Sequence, residues 1–183
     1  MLEAAGVPFE AVEAELDEAA AKGGLEAAGF DARGIAEELA QLKALSVEAP
    51  QDSLVLGSDQ TLELDDGAML SKPESRAEAL AQLHALSGRT HFLHSAAVIA
   101  EGGEAIWWHS ETVELSMRRL GPAFLEDYLD REYEHVRWSV GGYRIEGLGV
   151  QLFDRIEGSH FAILGMPLLP LLGYLRERGL LSS

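Results

Sequence analysis

The apolar run Leu54-Val55-Leu56-Gly57 leads straight into Ser58-Asp59-Gln60-Thr61. That order puts polar side chains at the carboxyl end of a buried strand, where open α/β sheets bind ligands. Asp59 is the first candidate there for proton transfer or metal binding, with an Asx turn or a cap as its structural alternative. Lys72 stands before Pro73 and a few residues ahead of Ser75-Arg76-Ala77-Glu78, a capping-box pattern that opens a helix. An ammonium at that place either meets a phosphate near the positive helix end or is simply solvated. Lys43 sits at the flank of the apolar stripe Ile35, Leu39, Leu42, so it leans toward the sheet or snorkels beside the core. Asp17-Glu18 offers hard oxygen ligands for a cation such as Mg2+, within a segment acidic enough to be a plain solvated run. Lysine occurs only at positions 22, 43 and 72, which singles out each compact ammonium.

The balance of charge limits the partners. A formal net charge of −17 over 183 residues repels nucleic-acid backbones and anionic membranes, so neither is an expected partner. An anionic ligand would need positive charge supplied locally, by lysines or by a divalent metal. The chain has no cysteine, which removes disulfides, thiolate zinc sites and thiol nucleophiles and makes the cytoplasm the simplest compartment. No basic segment followed by an apolar one opens the chain, and the apolar stretch Phe161 to Leu175 is short and interrupted by Pro167 and Pro170. His91 and His94 are three apart on an expected strand and so point to opposite faces; His84, His109, His135 and His160 are isolated. There is no Gly-x-x-x-x-Gly-Lys-Ser/Thr loop, no Gly-x-Ser-x-Gly elbow and no His-Glu-x-x-His, and Gly147-Leu148-Gly149 lacks the third glycine of a dinucleotide fingerprint. Trp107, Trp108 and Trp138 are read as core residues and given no site.

The elements that must carry these side chains alternate irregularly. Phe9 to Val12 reads as a short strand, and Asp31 as the cap of a helix through Ile35, Leu39, Leu42 and Ser46. Leu54 to Gly57 reads as a buried strand and Asp65-Asp66-Gly67 as a turn; the capping-box helix runs to Leu86. Thr90 to Ala100 and Ala105 to Leu115 read as antiparallel strands around Gly102-Gly103, followed by a helix over 122–131. Tyr143 to Ile145 and Val150 to Phe153 look strand-like, and Pro167 opens a last helix ending near Gly179. The glycine pairs 23–24, 102–103 and 141–142 suit turns, and the glycines around 147 and 149 imply close backbone approach or a turn cluster. The expected class is α/β with a mixed sheet flanked by helices.

Taken together, Leu54 to Thr61, Lys72-Pro73, Leu86-Ser-Gly-Arg-Thr-His91, Gly142-Tyr-Arg-Ile-Glu-Gly-Leu-Gly149 and Leu164-Gly-Met-Pro-Leu168 resemble the Maf family of nucleotide pyrophosphatases. The likeness covers nearly the whole chain in ordered motifs. It implies the Maf/inosine-triphosphatase-like fold, with an elongated mixed sheet and a cleft between two lobes. It further implies hydrolysis of a nucleoside triphosphate to the monophosphate and pyrophosphate with Mg2+ or Mn2+, and, by likeness alone, a homodimer. Asp59 matches the family's proton acceptor, Lys43 and Lys72 its phosphate-side lysines, and Glu18, with Asp59, its metal side. Two lysines and a metal are the local positive charge that so acidic a chain needs.

Gln60 and Glu146 look like the branch that acts on 7-methyl-GTP, where the dTTP/UTP branch carries Thr and Gln; a glutamate accepts from the N–H edge of guanine. Family members begin with a strand and a Ser-x-Ser-Pro-x-Arg-Arg loop, whereas Met1-Leu2-Glu3-Ala4-Ala5-Gly6 matches the segment after that loop. The expectation is one domain over residues 1–183 lacking that strand and phosphate-binding loop, and a poorly active form. A dTTP/UTP pyrophosphatase, or a catalytically impaired nucleotide-binding regulator of septum formation, is the competing reading.

Overall fold

The structure is a computed structural model and describes residues 1–182. Helices α1 (Glu18–Ala27) and α2 (Ala32–Ser46) precede strands β1 (Leu54–Leu64) and β2 (Met69–Leu70). Helix α3 (Arg76–Leu86) leads to the β3 (Thr90–Glu101) and β4 (Glu104–Met117) hairpin, then to α4 (Pro122–Val136). Strand β5 (Phe153–Glu157) and helices α5 (His160–Ile163) and α6 (Leu168–Glu177) close the chain. The strands form one sheet in the order β2-β1-β3-β4-β5 flanked by helices, so the α/β class is as expected, but the sheet is antiparallel and not mixed.

Local chemistry explains the elements that were legible. Asp31 accepts from the Gly34 amide at 2.7 Å and caps α2. Ser75 accepts from the Glu78 amide at 3.1 Å, while the Glu78 carboxylate takes the amide of Glu74 at 2.9 Å, one residue earlier than the standard box. Gly67 turns β1 into β2 with φ +85°, and Gly102 and Gly103 join β3 to β4.

Other expectations are corrected. Phe9 to Val12 forms no strand, and both end residues stand in solvent because no neighbouring strand pairs with them. Gly23-Gly24 lies inside α1 and not in a turn, since Asp17 caps the helix by accepting from Ala20 at 3.0 Å. Strand β1 continues seven residues past Gly57 to Leu64, held between β2 and β3, so Asp59 sits within a strand and not at its end. Helix α4 extends to Val136, and Tyr143 to Ile145 is no strand. Leu148–Leu152 is a 3-10 helix, and only from Phe153 does the chain become strand. Trp108 is 70% exposed, on the part of β4 that precedes its pairing with β5 from Glu114 to Met117. Trp138 is exposed too, stacked beneath the Arg137 guanidinium at 4.8 Å.

The chain divides into two compact units, and β1, β3 and β4 each contribute to both. The first comprises Met1–Gln60, Ser95–Glu111 and the stretch from Ser159. In it, alternate residues of β3 serve opposite faces of the sheet. Ala96, Val98 and Ala100 meet the alanine face of α2, namely Ala36, Ala40 and Ala44; Ile99 meets Leu171 and Leu175 of α6.

The second unit, Thr61–His94 with Thr112–Gly158, packs α3 on α4 over buried Leu83, Leu86, Leu125 and Leu129. His91 is wholly buried there, its Nε2 2.7 Å from the Tyr143 hydroxyl and its ring against Phe153. Burial lowers its pKa to about 4. The unfolded chain therefore takes up this proton near pH 6.5 and the folded chain only near pH 4. Acidification from pH 6.5 to 4 should cost about 3 kcal/mol of stability through this one group. Urea denaturation across that range should show the loss in the natural chain and a flatter dependence in His91→Leu; equal slopes would refute it.

Candidate active site

Helix α2 lies against β1 because residue 57 has no side chain. A Cβ on Gly57 would stand 2.1 Å from the Ala40 carbonyl oxygen and 2.5 Å from the Ala44 amide nitrogen. The contact is backbone to backbone, and it places the next residue on that face of β1, Asp59, beside the side chain of Lys43. The Lys43 ammonium donates to Asp59 Oδ1 at 2.6 Å and lies 3.2 Å from Glu18 Oε1, so two carboxylates from β1 and α1 share one cation on α2. Asp59 and Lys43 are largely withdrawn from water, 11% and 19% exposed, whereas Glu18 is half exposed at 51%.

Burial alone would lower the pKa of Lys43; the bond to Asp59, the Asp59 charge and the Glu18 charge outweigh it and hold the pKa above the ordinary lysine value. The lysine is thus a fixed cation at neutral pH, held against the Asp59 carboxylate. The cluster carries a net charge of about −1 by simple bookkeeping of one ammonium and two carboxylates.

Among the described residues no group of three or more His, Asp or Glu side chains forms a metal cage. Two carboxylates with one open to solvent nevertheless suit a magnesium-type ion, which keeps several waters and takes its other oxygens from a phosphate. Asp59 and Glu18 are the residues that would hold it.

The other sequence candidates fall elsewhere. Gln60 follows Asp59 and faces the opposite side of β1. Its amide nitrogen donates to Ser95 Oγ at 2.8 Å, to the Ala162 carbonyl at 2.8 Å and to the Ile163 carbonyl at 3.2 Å. Lys72 and Glu146 belong to the second unit, and both are exposed. Lys72 follows β2, ahead of the capped start of α3. Glu146 lies in the turn between two 3-10 segments, beside the pairing of Arg144 with buried Glu132 at 2.7 Å. The glycines after it permit close packing of the chain on itself: a Cβ on Gly147 would meet Arg144 Nε at 2.8 Å, and one on Gly149 the Arg144 carbonyl oxygen at 2.3 Å.

Residues missed in the sequence complete the surroundings of Asp59. Ser58 donates to the Gly165 carbonyl at 2.7 Å, and buried Ser95 donates to that of Ala162 at 2.6 Å. Gly57 did carry a signal, as a glycine inside an apolar run. No helix among the described residues is long and apolar enough to cross a membrane.

Comparison with known proteins bears on the whole chain. The family described as Maf-like protein matches residues 1–178. A nucleoside triphosphate pyrophosphatase of Sphingopyxis alaskensis is 48% identical over 181 residues, spanning 98% of this chain and 91% of that protein. One of Caulobacter vibrioides is 48% identical over 182 residues, spanning 100% of this chain and 91% of its own. A 7-methyl-GTP pyrophosphatase of Rhizobium etli is 48% identical over 184 residues, spanning 100% of this chain and 92% of its own.

Proposed function

Given that the chain belongs to the Maf family, as a nucleoside triphosphate pyrophosphatase, we propose that its substrate is 7-methyl-GTP, cleaved to 7-methyl-GMP and pyrophosphate. The observation that carries the chemistry is the Lys43 ammonium held between Asp59 and Glu18. Water attacks the α-phosphorus, its oxygen forming a new P–O bond as the α–β bridging bond breaks and pyrophosphate departs. Asp59 accepts the proton of that water, and the bond from the Lys43 ammonium at 2.6 Å holds its carboxyl group in place. Lys43 also sets positive charge beside the position where phosphate charge accumulates, while the family resemblance assigns Lys72 to the phosphate side. A magnesium or manganese ion, when bound at Asp59 and Glu18, supplies Lewis acidity toward the phosphate oxygens.

Two facts support the base. The Rhizobium etli relative named for 7-methyl-GTP covers the full chain at 48% identity. Glu146 is an exposed carboxylate, and guanine presents N–H donors that such a group accepts.

Pyrophosphate release from 7-methyl-GTP, GTP, dTTP, UTP and CTP with Mg2+ tests the reading. It should favour 7-methyl-GTP in kcat/KM by tenfold or more, and Glu146→Gln should erase about 1.4 kcal/mol of that preference. Preference for dTTP and UTP would replace this substrate with the pyrimidine reading. Tight binding without release would make the protein a nucleotide-binding regulator.

A further inference from the structure

The chain has 31 acidic residues, and among the described ones only Glu132 is buried, at 5% exposure. It stands near the end of α4, on which Glu126, Asp127, Asp130 and Glu134 all lie in solvent. A carboxylate withdrawn from water needs a partner, and Arg144 supplies it: the guanidinium Nε donates to Glu132 Oε2 at 2.7 Å. Such a pair is a weak source of stability beside an apolar one of the same size; what it can do is specify one conformation.

The conformation at stake is that of the turn that follows. A Cβ on Gly147 would stand 2.8 Å from Arg144 Nε and 3.1 Å from Glu132 Oε2, so the backbone there lies directly on the hydrogen-bonded atoms. A Cβ on Gly149 would stand 2.3 Å from the Arg144 carbonyl oxygen. Neither glycine has a positive φ, so close approach is what the two positions require. Upstream, Tyr128, one turn before Glu132 on the same face of α4, donates to the Gly142 carbonyl at 3.4 Å. The span from 142 to 149 is thereby fastened to α4, and Glu146 stands exposed within it. The bond to Glu132, and to a lesser degree the charge of Glu146, hold Arg144 above the ordinary arginine pKa against partial desolvation; the guanidinium thus attracts both carboxylates.

We infer that Glu132 and Arg144 are positioning residues for base selection: the buried carboxylate of α4 fixes the Arg144 guanidinium, the 144–149 turn is folded over that pair, and the Glu146 carboxylate is thereby held where it meets the N–H edge of guanine. A glutamate on an unrestrained turn loses backbone and rotamer freedom when a base binds, and restraining the turn beforehand removes part of that cost. The pair therefore acts on recognition of the base and not on bond cleavage.

The inference rests on the reading of Glu146 as the acceptor for the base, and the experiment separates the two. Arg144→Ala, Glu132→Gln and Glu146→Gln are compared with the natural chain for pyrophosphate release from 7-methyl-GTP and UTP. Amide hydrogen exchange of residues 145–150 is followed in parallel without nucleotide. Arg144→Ala and Glu132→Gln should each lower the kcat/KM ratio of 7-methyl-GTP to UTP by about fivefold or more, chiefly by raising KM for 7-methyl-GTP, and should speed exchange in the turn. Arg144→Lys, which keeps a cation for Glu132, should recover part of the ratio. In a Glu146→Gln background, Arg144→Ala should move the ratio no further, because the pair acts only through that carboxylate.

A merely structural pair would lower stability and both activities alike. An unchanged ratio in folded Arg144→Ala and Glu132→Gln would overturn the positioning role, as would additive loss in the Glu146→Gln background or exchange as slow as in the natural chain. An unchanged ratio in Glu146→Gln alone would instead overturn the reading of Glu146. Should Arg144→Ala fail to fold with its buried carboxylate left alone, Glu132→Gln, uncharged and of the same shape, still decides.

Discussion

Asp59→Asn should lower kcat for pyrophosphate release by about 10²- to 10⁴-fold, the usual range for loss of a positioned general base. Asparagine keeps the shape of the side chain and an oxygen for the Lys43 bond, but it takes no proton at neutral pH. The fold should survive, because the ammonium retains Glu18 at 3.2 Å and lies partly in water. With Asp59 uncharged, burial is less strongly opposed and the pKa of Lys43 should fall from its raised value. Steady-state release at saturating nucleotide, with urea denaturation run in parallel, checks both halves. A kcat within about threefold of the natural chain would mean that the proton leaves by another route and that Asp59 only anchors the lysine.

The second large effect belongs to a residue with no chemistry of its own. Gly57→Ala would push a methyl group into the Ala40 carbonyl and the Ala44 amide of α2, and neither atom is a flexible side-chain end that can swing away. Helix and strand must separate. The cost should be about 3 kcal/mol or more, at the upper end of overpacking, because the alanine face of α2 leaves Ala96, Val98 and Ala100 at the same time. Whatever fraction folds should also lose kcat by tenfold or more, since Lys43 moves with its helix away from Asp59. Urea denaturation together with activity per folded molecule measures the two effects. A stable, fully active Gly57→Ala would show that the approach of α2 is not what sets the ion pair.

Much of this architecture was legible because local chemistry and tertiary structure agree. Asp31, Ser75 and the glycines at 67, 102 and 103 each act within a few residues of themselves, and the helices and turns they specify are where the pattern put them. Lys43 at the flank of an apolar stripe was readable in the same way, and it does lean toward the sheet. Failure came where distant partners decide. Ser58, Asp59 and Gln60 look like the end of a strand by composition, yet pairing with β2 and β3 carries the strand on to Leu64. Gly23-Gly24 reads as a turn, but the cap at Asp17 and packing against α2 keep α1 helical, and that helix brings in Glu18. The ties from Ser58, Gln60 and Ser95 to residues 162–165 span up to 107 positions, which no local pattern can encode.

The alanine face of α2 against Gly57 has a thermal consequence. Glycine and alanine have no side-chain rotamers, so this contact loses no side-chain entropy on folding and gains none as the temperature rises. Larger residues at the same places would jump between staggered wells and pass that motion to whatever they carry. At Gly57, Ala40 and Ala44 the helix rests on the strand through parts without rotamers, so this contact passes no side-chain disorder to the spacing between Lys43 and Asp59 for as long as the helix remains docked.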